Sequence, residues 1–309
     1  MILARRTILA AAVESVEGVP EALSAANCMR IANANFVPQV EMNRRPLTRD
    51  SVSKIPDLPG IRSSQITFDV ELVGNSVGGT PPEWSALMKG CGFVESAGSG
   101  TITYSLSSVP SDFKSLTIGV YTDGMLSKLW GARGTVSLVM QGGKPGVLRF
   151  SFRGADFEIT DTALPVPSLD SSIPAPFKGA TFTVEGQALK VGSLTLSLNN
   201  QLDLRKDITK QSGHSSAMIT GRDASGEFDP ELELVATHDF YGLWKSGQTS
   251  ALTAEWGANV AKIHVSSPCC QYRGVRWQDK GALRGLLVDF SLTENTGSDE
   301  LELTVGSET

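Results

Sequence analysis

Apolar and polar residues alternate along much of this chain with a period of two. Ile66, Phe68, Val70 and Leu72 interleave with Gln65, Thr67, Asp69 and Glu71, the signature of a strand with one face buried. Leu194, Leu196 and Leu198 interleave with Ser193, Thr195 and Ser197 in the same way. A third run sets Phe228, Leu232 and Leu234 against Glu227, Asp229, Glu231 and Glu233, and predicts a strand reaching residue 234. Further strands are predicted at 102–106, 116–121, 135–140, 147–152, 261–265, 286–292 and 300–305, with Asp123-Gly124 and Gly142 to Gly146 supplying hairpin turns. Two short helices interrupt the strands. Thr80-Pro81-Pro82-Glu83 reads as a capping box ahead of Trp84, Leu87 and Met88 on one face, with Gly90 or Gly92 as the stop. Asp239 is the matching cap before Trp244, and Gly247 the matching stop.

The chain repeats itself. Phe68-Asp69-Val70-Glu71-Leu72 returns 160 residues later as Phe228-Asp229-Pro230-Glu231-Leu232, and the same offset carries Trp84 onto Trp244. Gln39-Val40-Glu41-Met42 is matched by Gln201-Leu202-Asp203-Leu204, Arg44 by Arg205, and Phe150-Ser151-Phe152 by Phe290-Ser291-Leu292. A unit this long is a whole domain rather than a solenoid repeat. The expected organisation is a first domain at 1–163, a proline-rich extended linker at 164–176 and a second domain at 177–309. Each is expected to be a β-sandwich or barrel with one short helix, making the chain mainly β. Phe68, Trp84, Phe228 and Trp244 are the expected core anchors.

Composition narrows the function. With 27 basic and 33 acidic residues the net charge is -6, which argues against a duplex-DNA binder. Residues 1–163 hold 15 of each sign, so the second half carries the whole excess. No apolar run reaches the ~18 residues of a membrane span. The stretch from Arg5 to Ala26 imitates a signal peptide but is cut short by Glu14, Glu17 and Glu21, so an edge strand or arm is expected there. Cys28, Cys91, Cys269 and Cys270 form neither a disulfide framework nor paired C-x-x-C zinc ligands and are expected to be reduced thiols. His214, His238 and His264 fall on separate elements, and no P-loop, Rossmann glycine pattern or nucleophile elbow is present. No catalytic, cofactor-binding or metal residue is therefore nominated, and an enzyme is not expected.

Several of these segments resemble the major tail, or tail tube, proteins of long-tailed bacteriophages. The resemblance is carried by Ile8-Leu9-Ala10-Ala11 with Glu14 to Pro20, the strand and helix from Ile66 to Gly92, and Tyr121 to Gly124 followed by Trp130 to Val136. It continues through Gly142-Gly143-Lys144, Leu194 to Asn200 and Ile219 to Leu234. It implies a virion protein, assembled in the host cytoplasm, that polymerises with itself into stacked rings of six domains forming a hollow tube for the genome. Two tube domains per chain then imply pseudo-hexameric trimers in a non-contractile, siphovirus-type tail used for DNA ejection. The implied partners are the tape measure, tail terminator and distal tail proteins, with DNA passing without tight binding and no membrane. Acidic residues suit such a bore, because they let DNA slide; the candidates are Asp69, Glu71, Glu227, Asp229, Glu231 and Glu233. The loops Arg44–Pro59 and Arg205–Thr220 are implied to reach the next ring, through Arg44, Arg45, Arg49, Asp50, Lys54, Arg205, Lys206 and Lys210. The inner tube of a contractile tail or type VI-like apparatus is the nearest alternative, and a tandem immunoglobulin-like surface protein is the alternative of another class.

Overall fold

The computed structural model describes residues 2–307 and is built almost wholly of antiparallel strands, with two short helices. The first half contains β1 (Thr7–Val13), β2 (Cys28–Met29), β3 (Ala32–Asn43), β4 (Leu58–Glu71), α1 (Ser85–Gly90), β5 (Phe93–Ala97) and β6 (Thr101–Leu106). It ends with β7 (Leu116–Thr122), β8 (Met125–Gln141), β9 (Val147–Gly154) and β10 (Asp156–Asp161). The second half runs through β11 (Thr181–Val184), β12 (Gln187–Ala188), β13 (Val191–Ser197), β14 (Asn200–Lys206), β15 (His214–Arg222) and β16 (Ser225–Pro230). Then follow α2 (Phe240–Ser246), β17 (Thr249–Trp256), β18 (Ile263–Lys280), β19 (Leu283–Leu292) and β20 (Glu302–Gly306).

The two halves have the same wiring. In the first, β2 pairs with β1, β1 with β7, β7 with the start of β8, and that start with β10. The end of β8 pairs with β9, β9 with β4 and β4 with β3. Each pairing recurs in the second half, with β12, β11, β17, β18, β20, β19, β16 and β13 in the corresponding places. The long strands β8 and β18 each run from one sheet into another. β8 turns at Gly131, whose φ of 60° suits glycine, and β18 at a bulge between Tyr272 and Gly274. Among the described residues the β5–β6 hairpin has no counterpart in the second half.

Pairing also corrects the repeat. Phe68 stands opposite Phe150, whereas Phe228 stands opposite Val288. Val288, not Phe290, is therefore equivalent to Phe150. A two-residue slip preserves the buried face, so alternation alone does not detect it. Two aromatic clusters result, Phe68 with Phe150 and Phe152, and Phe228 with Phe182, Tyr272 and Phe290. Both belong to one continuous core spanning the halves.

Four local expectations fail. No capping box forms at Thr80, because Trp84 occupies the N-cap of α1 and the Glu83 carboxylate accepts from the Asp170 backbone N–H instead. The strand after Phe228 stops at Pro230, which has no amide donor, leaving Leu232 and Leu234 exposed. Trp244 is 40% exposed and is not a core anchor, while Trp84 is 1% exposed. Trp84 is covered by Tyr104 of the β5–β6 hairpin, with ring centroids 5.1 Å apart, and the second half has no such hairpin. There Phe240, at the start of α2, packs on Tyr272 and fills the core, and Trp244 only donates Nε1–H to the Arg273 carbonyl. Asp239 and Gly247 cap α2 as expected, the former by accepting from the Gly242 N–H and the latter at φ 67°. Likewise β1 is a buried inner strand between β2 and β7, not an edge.

Phe228→Ala is expected to lower unfolding stability by about 3–5 kcal/mol, and Trp244→Ala by no more than about 1 kcal/mol. Urea midpoints of the two variants and the wild type measure the difference.

Candidate functional site

The most informative surface is a single sheet that runs through both halves, in the order β3, β4, β9, β8, β13, β16, β19, β18. Its middle junction joins the halves. Ser137, Leu138, Val139, Met140 and Gln141 of β8 stand opposite Ser197, Leu196, Thr195, Leu194 and Ser193 of β13. Leu138 and Leu196 meet there with no exposed surface. The sheet is open, not a closed barrel, and both of its outer strands keep one side without a partner strand among the described residues: β3 at one edge, the 274–280 end of β18 at the other.

By their pairings these edges are the counterparts of the two strands that meet in the middle. Phe36 lies opposite Ile66 as Leu196 lies opposite Gly226, and Trp277 lies opposite Leu286 as Leu138 lies opposite Leu148. Trp277 is 68% exposed, held by Nε1–H donation to the Tyr241 hydroxyl at 2.7 Å and by Arg284 against its ring. Nothing in the sequence marks it. Its neighbours Arg276, Gln278 and Asp279 blur the strand period, so only the ladder shows its equivalence to a core leucine.

One face of this sheet carries the core and the other carries polar side chains. On the polar face hydroxyl residues such as Thr67, Ser137, Ser151, Thr195, Ser197 and Ser291 alternate with buried apolar ones. Four of the acidic candidates, Asp69, Glu71, Glu227 and Asp229, lie on it. They are not all free charges. Asp69 pairs with Arg149 at 3.2 Å and accepts from Asn33, and Asp229 pairs with Lys280 at 3.1 Å and accepts from the Gly192 and Ser193 N–H groups. Asp289 on the same face pairs with Arg276 at 2.8 Å. Glu71 and Glu227 have no ion pair among the described residues. Glu231 and Glu233 lie beyond the end of β16, the former bridged to Lys190 at 3.5 Å.

The basic loop candidates separate. Arg44, Arg45, Arg49, Asp50 and Lys54 belong to an exposed segment, residues 44–57, at the tip of the β3–β4 ribbon, where Lys54 pairs with Asp57. The second loop is much shorter than expected. Residues 214–220 are strand, and only 207–213 form a turn, closed by Asp207 N–H to the Gly213 carbonyl and Gly213 N–H to that of Lys210. Arg205 and Lys206 therefore lie on β14, and Lys210 alone of the three is in the turn.

The β14–β15 ribbon is an arm of the second half laid on the first. Its tip accepts the Arg62 N–H on the Ser212 carbonyl, and His214 Nδ1 meets the Arg62 carbonyl. Arg133, buried at 5% exposure, ties it down. Its guanidinium donates to the carbonyls of Phe113 and Ala217 and to the carboxylate of Glu17, which also accepts from the Ser216 hydroxyl. The Arg133 and Ser216 hydrogen bonds hold the Glu17 carboxyl below the usual glutamate range. Among the described residues, no three His, Cys, Asp or Glu side chains gather as a metal site requires.

Arg133→Ala is expected to cost about 3 kcal/mol, since it strands the buried Ala217 carbonyl and the half-buried Phe113 carbonyl, and Arg133→Lys to restore little, lacking the planar fork. Glu17 has a depressed folded-state pKa, so its contribution is complete above the ordinary glutamate range and is lost as pH falls through that range and below it. Denaturant unfolding across acidic pH should show this loss in the wild type and less of it in Glu17→Gln.

The family comparison agrees with this architecture. Residues 4–304 match a family model described as phage tail tube protein. A search of curated proteins finds no match. A match over nearly the whole chain, on a mainly β fold with open sheet edges, makes this chain a member of the phage tail tube family and a structural component of the virion tail.

Proposed function

We propose that three chains close into a ring in which the six half-chains are equivalent seats, and that such rings stack into the hollow tube of a non-contractile tail. The observation that carries this reading is the β8–β13 junction. The chain already contains one copy of the contact, and its two free edges are the two halves of another. Repeating the junction between chains sets the 274–280 end of β18 beside β3 of the next copy and puts Trp277 opposite Phe36. An unpaired edge is an aggregation hazard unless closure removes it. A head-to-tail contact of this kind closes into a ring when its rotation permits. Trp277 then has the properties of a central interface anchor, a large aromatic side chain exposed only until the partner arrives.

The polar face of the continuous sheet would line the bore. Hydroxyl groups and locally neutralised ion pairs offer DNA no net positive surface, while Glu71 and Glu227 add unpaired negative charge, so a passing duplex is repelled weakly and held nowhere. The domain division at 164–176 fits the recurring pairings, with the linker strapped to the first half through Arg30, Ser76 and Glu83 around Asp170. Residues 46–57, beyond the ribbon, are proposed to reach the adjacent ring. The tape measure, terminator and distal tail proteins would meet the two ends of such a tube, and assembly in the host cytoplasm follows from the same reading.

Sedimentation and electron microscopy of the purified chain should give rings of three times the 32.9 kDa chain mass and tubes built from them, with Glu71 and Glu227 on the bore in a reconstruction. Trp277→Asp should leave the monomer's unfolding midpoint unchanged and prevent ring formation. Rings of six chains would refute the equivalence of the halves.

Removing Asp50–Asp57 should yield a folded chain that still forms rings but no longer stacks them. Tubes of normal length from that deletion, seen by negative-stain microscopy, would remove the inter-ring role.

A further inference from the structure

The chain has two ribbon arms, and only one of them is seated. In the arm formed by β14 and β15, Ala217 and Ser216 are fully buried and His214 and Ser212 nearly so, because the arm lies on the first half. The equivalent arm is the outer part of β3 and β4. Met42 lies opposite Pro59 as Leu204 lies opposite Ala217, and Gln39 opposite Ser63 as Gln201 opposite Gly221. The base of this arm meets the seated one, Ile61 lying against Gly213 and the Arg62 backbone bonding to Ser212 and His214, while β3 is exposed along nearly its whole length. Val37, Val40, Met42, Leu58 and Ile61 are 37–54% exposed on it. A two-stranded ribbon with that much apolar surface in water is marginally stable alone and marks a contact surface.

The seat for it exists on the second half. In the first half the seated arm meets Arg62, Arg133 and Arg153, the last donating to the Leu202 carbonyl. Two of these have clear second-half counterparts. Arg62 clamps Asp156 at 2.6 Å, at the start of β10, and Arg222 clamps Glu300 at 3.1 Å, two residues before β20. Arg133 pairs with Arg153 and reaches the Phe113 carbonyl before β7; Gln271 pairs with Ser291 and reaches the Gly247 carbonyl before β17. Beside Ser291 the second half has an open hollow of about 480 Å³, lined by Ser197, Asp223, Glu227, Arg273 and Asp289 among others. With Asp289 paired to Arg276 and Glu227 assigned to the bore, Asp223 is the carboxylate of this hollow open to a cation, and the free arm ends in Asn43-Arg44-Arg45. The charges are complementary.

We infer that the β3–β4 arm of one chain seats on the second half of the next copy in the same ring, over Arg222, Gln271 and Ser291, as the β14–β15 arm seats on the first half of its own chain. The inference rests on the ring reading above and adds to it a second contact, separate from the strand edge. It makes each half-chain reach over its neighbour, so that every junction is held by a strand pairing and by an arm. The arm as far as Arg45 is used within the ring, which leaves residues 46–57 for contacts beyond it.

A photo-reactive benzoylphenylalanine placed at Met42 tests this in assembled tubes, with the same group at Leu204 as the internal comparison. The Leu204 probe should cross-link within its own chain, to the first half, without changing mass on a denaturing gel. The Met42 probe should give chain-to-chain products whose cross-linked peptides map to residues 220–227 or 269–292. Val40→Asp with Met42→Asp should leave the monomer's thermal midpoint within a degree or two and abolish pelletable tubes. Tubes in which the Met42 probe maps to another chain's first half, or fails to cross-link, overturn the inference, as does normal assembly of the double variant. In each of those outcomes rings still form, so the ring reading survives. A wild-type chain that stays monomeric at every concentration overturns both.

Discussion

A β-sheet needs closed edges, and this constraint organises the molecule. Backbone N–H and C=O groups left unpaired on a sheet margin seek partners. Each half-chain builds a four-stranded unit with unlike margins, β3 or β13 on one side and the end of β8 or β18 on the other. Because the margins are unlike, a unit cannot satisfy itself; it can only pass the problem to a neighbour. The β8–β13 ladder solves it once within the chain. The core follows from that solution, since Leu138, Met140, Leu194 and Leu196 are fully buried only because two units meet there.

Much of this was legible in the sequence, and the failures have physical causes. Alternation identified β4, β6, β7, β9, β13 and β19, because each has one face on the core and one in water. The pattern could not set register. Phe150 matched to Phe290 shares the correct face but lies two residues from the equivalent position, which is the one error a period-two signal permits. Nor could it see that Trp84 and Trp244, identical in type and spacing, occupy different places. One precedes α1 under Tyr104 and the other lies within α2 with nothing above it. Trp277 was invisible for the opposite reason. It is the ladder counterpart of the buried Leu138, but among the described residues no strand lies on its outer side, so its surroundings read as ordinary solvent-facing strand.

The acidic residues show how a count of charges misleads. Read along the strand, Asp69 and Glu71, or Glu227 and Asp229, form a negative stripe. Read across the ladder, Asp69 faces Arg149, and Asp289 and Asp229 lie beside Arg276 and Lys280. Cross-strand pairing of opposite charges is a normal way to stabilise a solvated face. The net charge of -6 is thus spread more thinly over this face than the sequence suggests. A surface past which a polyanion moves needs no binding cations; it does not need to be uniformly acidic.

The two halves have diverged in a direction that bears on assembly. Among the described residues the β5–β6 hairpin exists only in the first half, and β6 pairs with β20 from Ser105 opposite Glu302 to Thr101 opposite Gly306. It thereby adds a second ladder between the halves of one chain, and Tyr104 covers Trp84 at the same place. Among the described residues the second half extends no equivalent hairpin. The junction inside the chain is therefore held by two ladders, β8–β13 and β6–β20, and has the high effective concentration that covalent linkage gives. A chain held this way joins its own two halves and still carries one unmatched pair of edges among the described residues, β3 and the 274–280 end of β18.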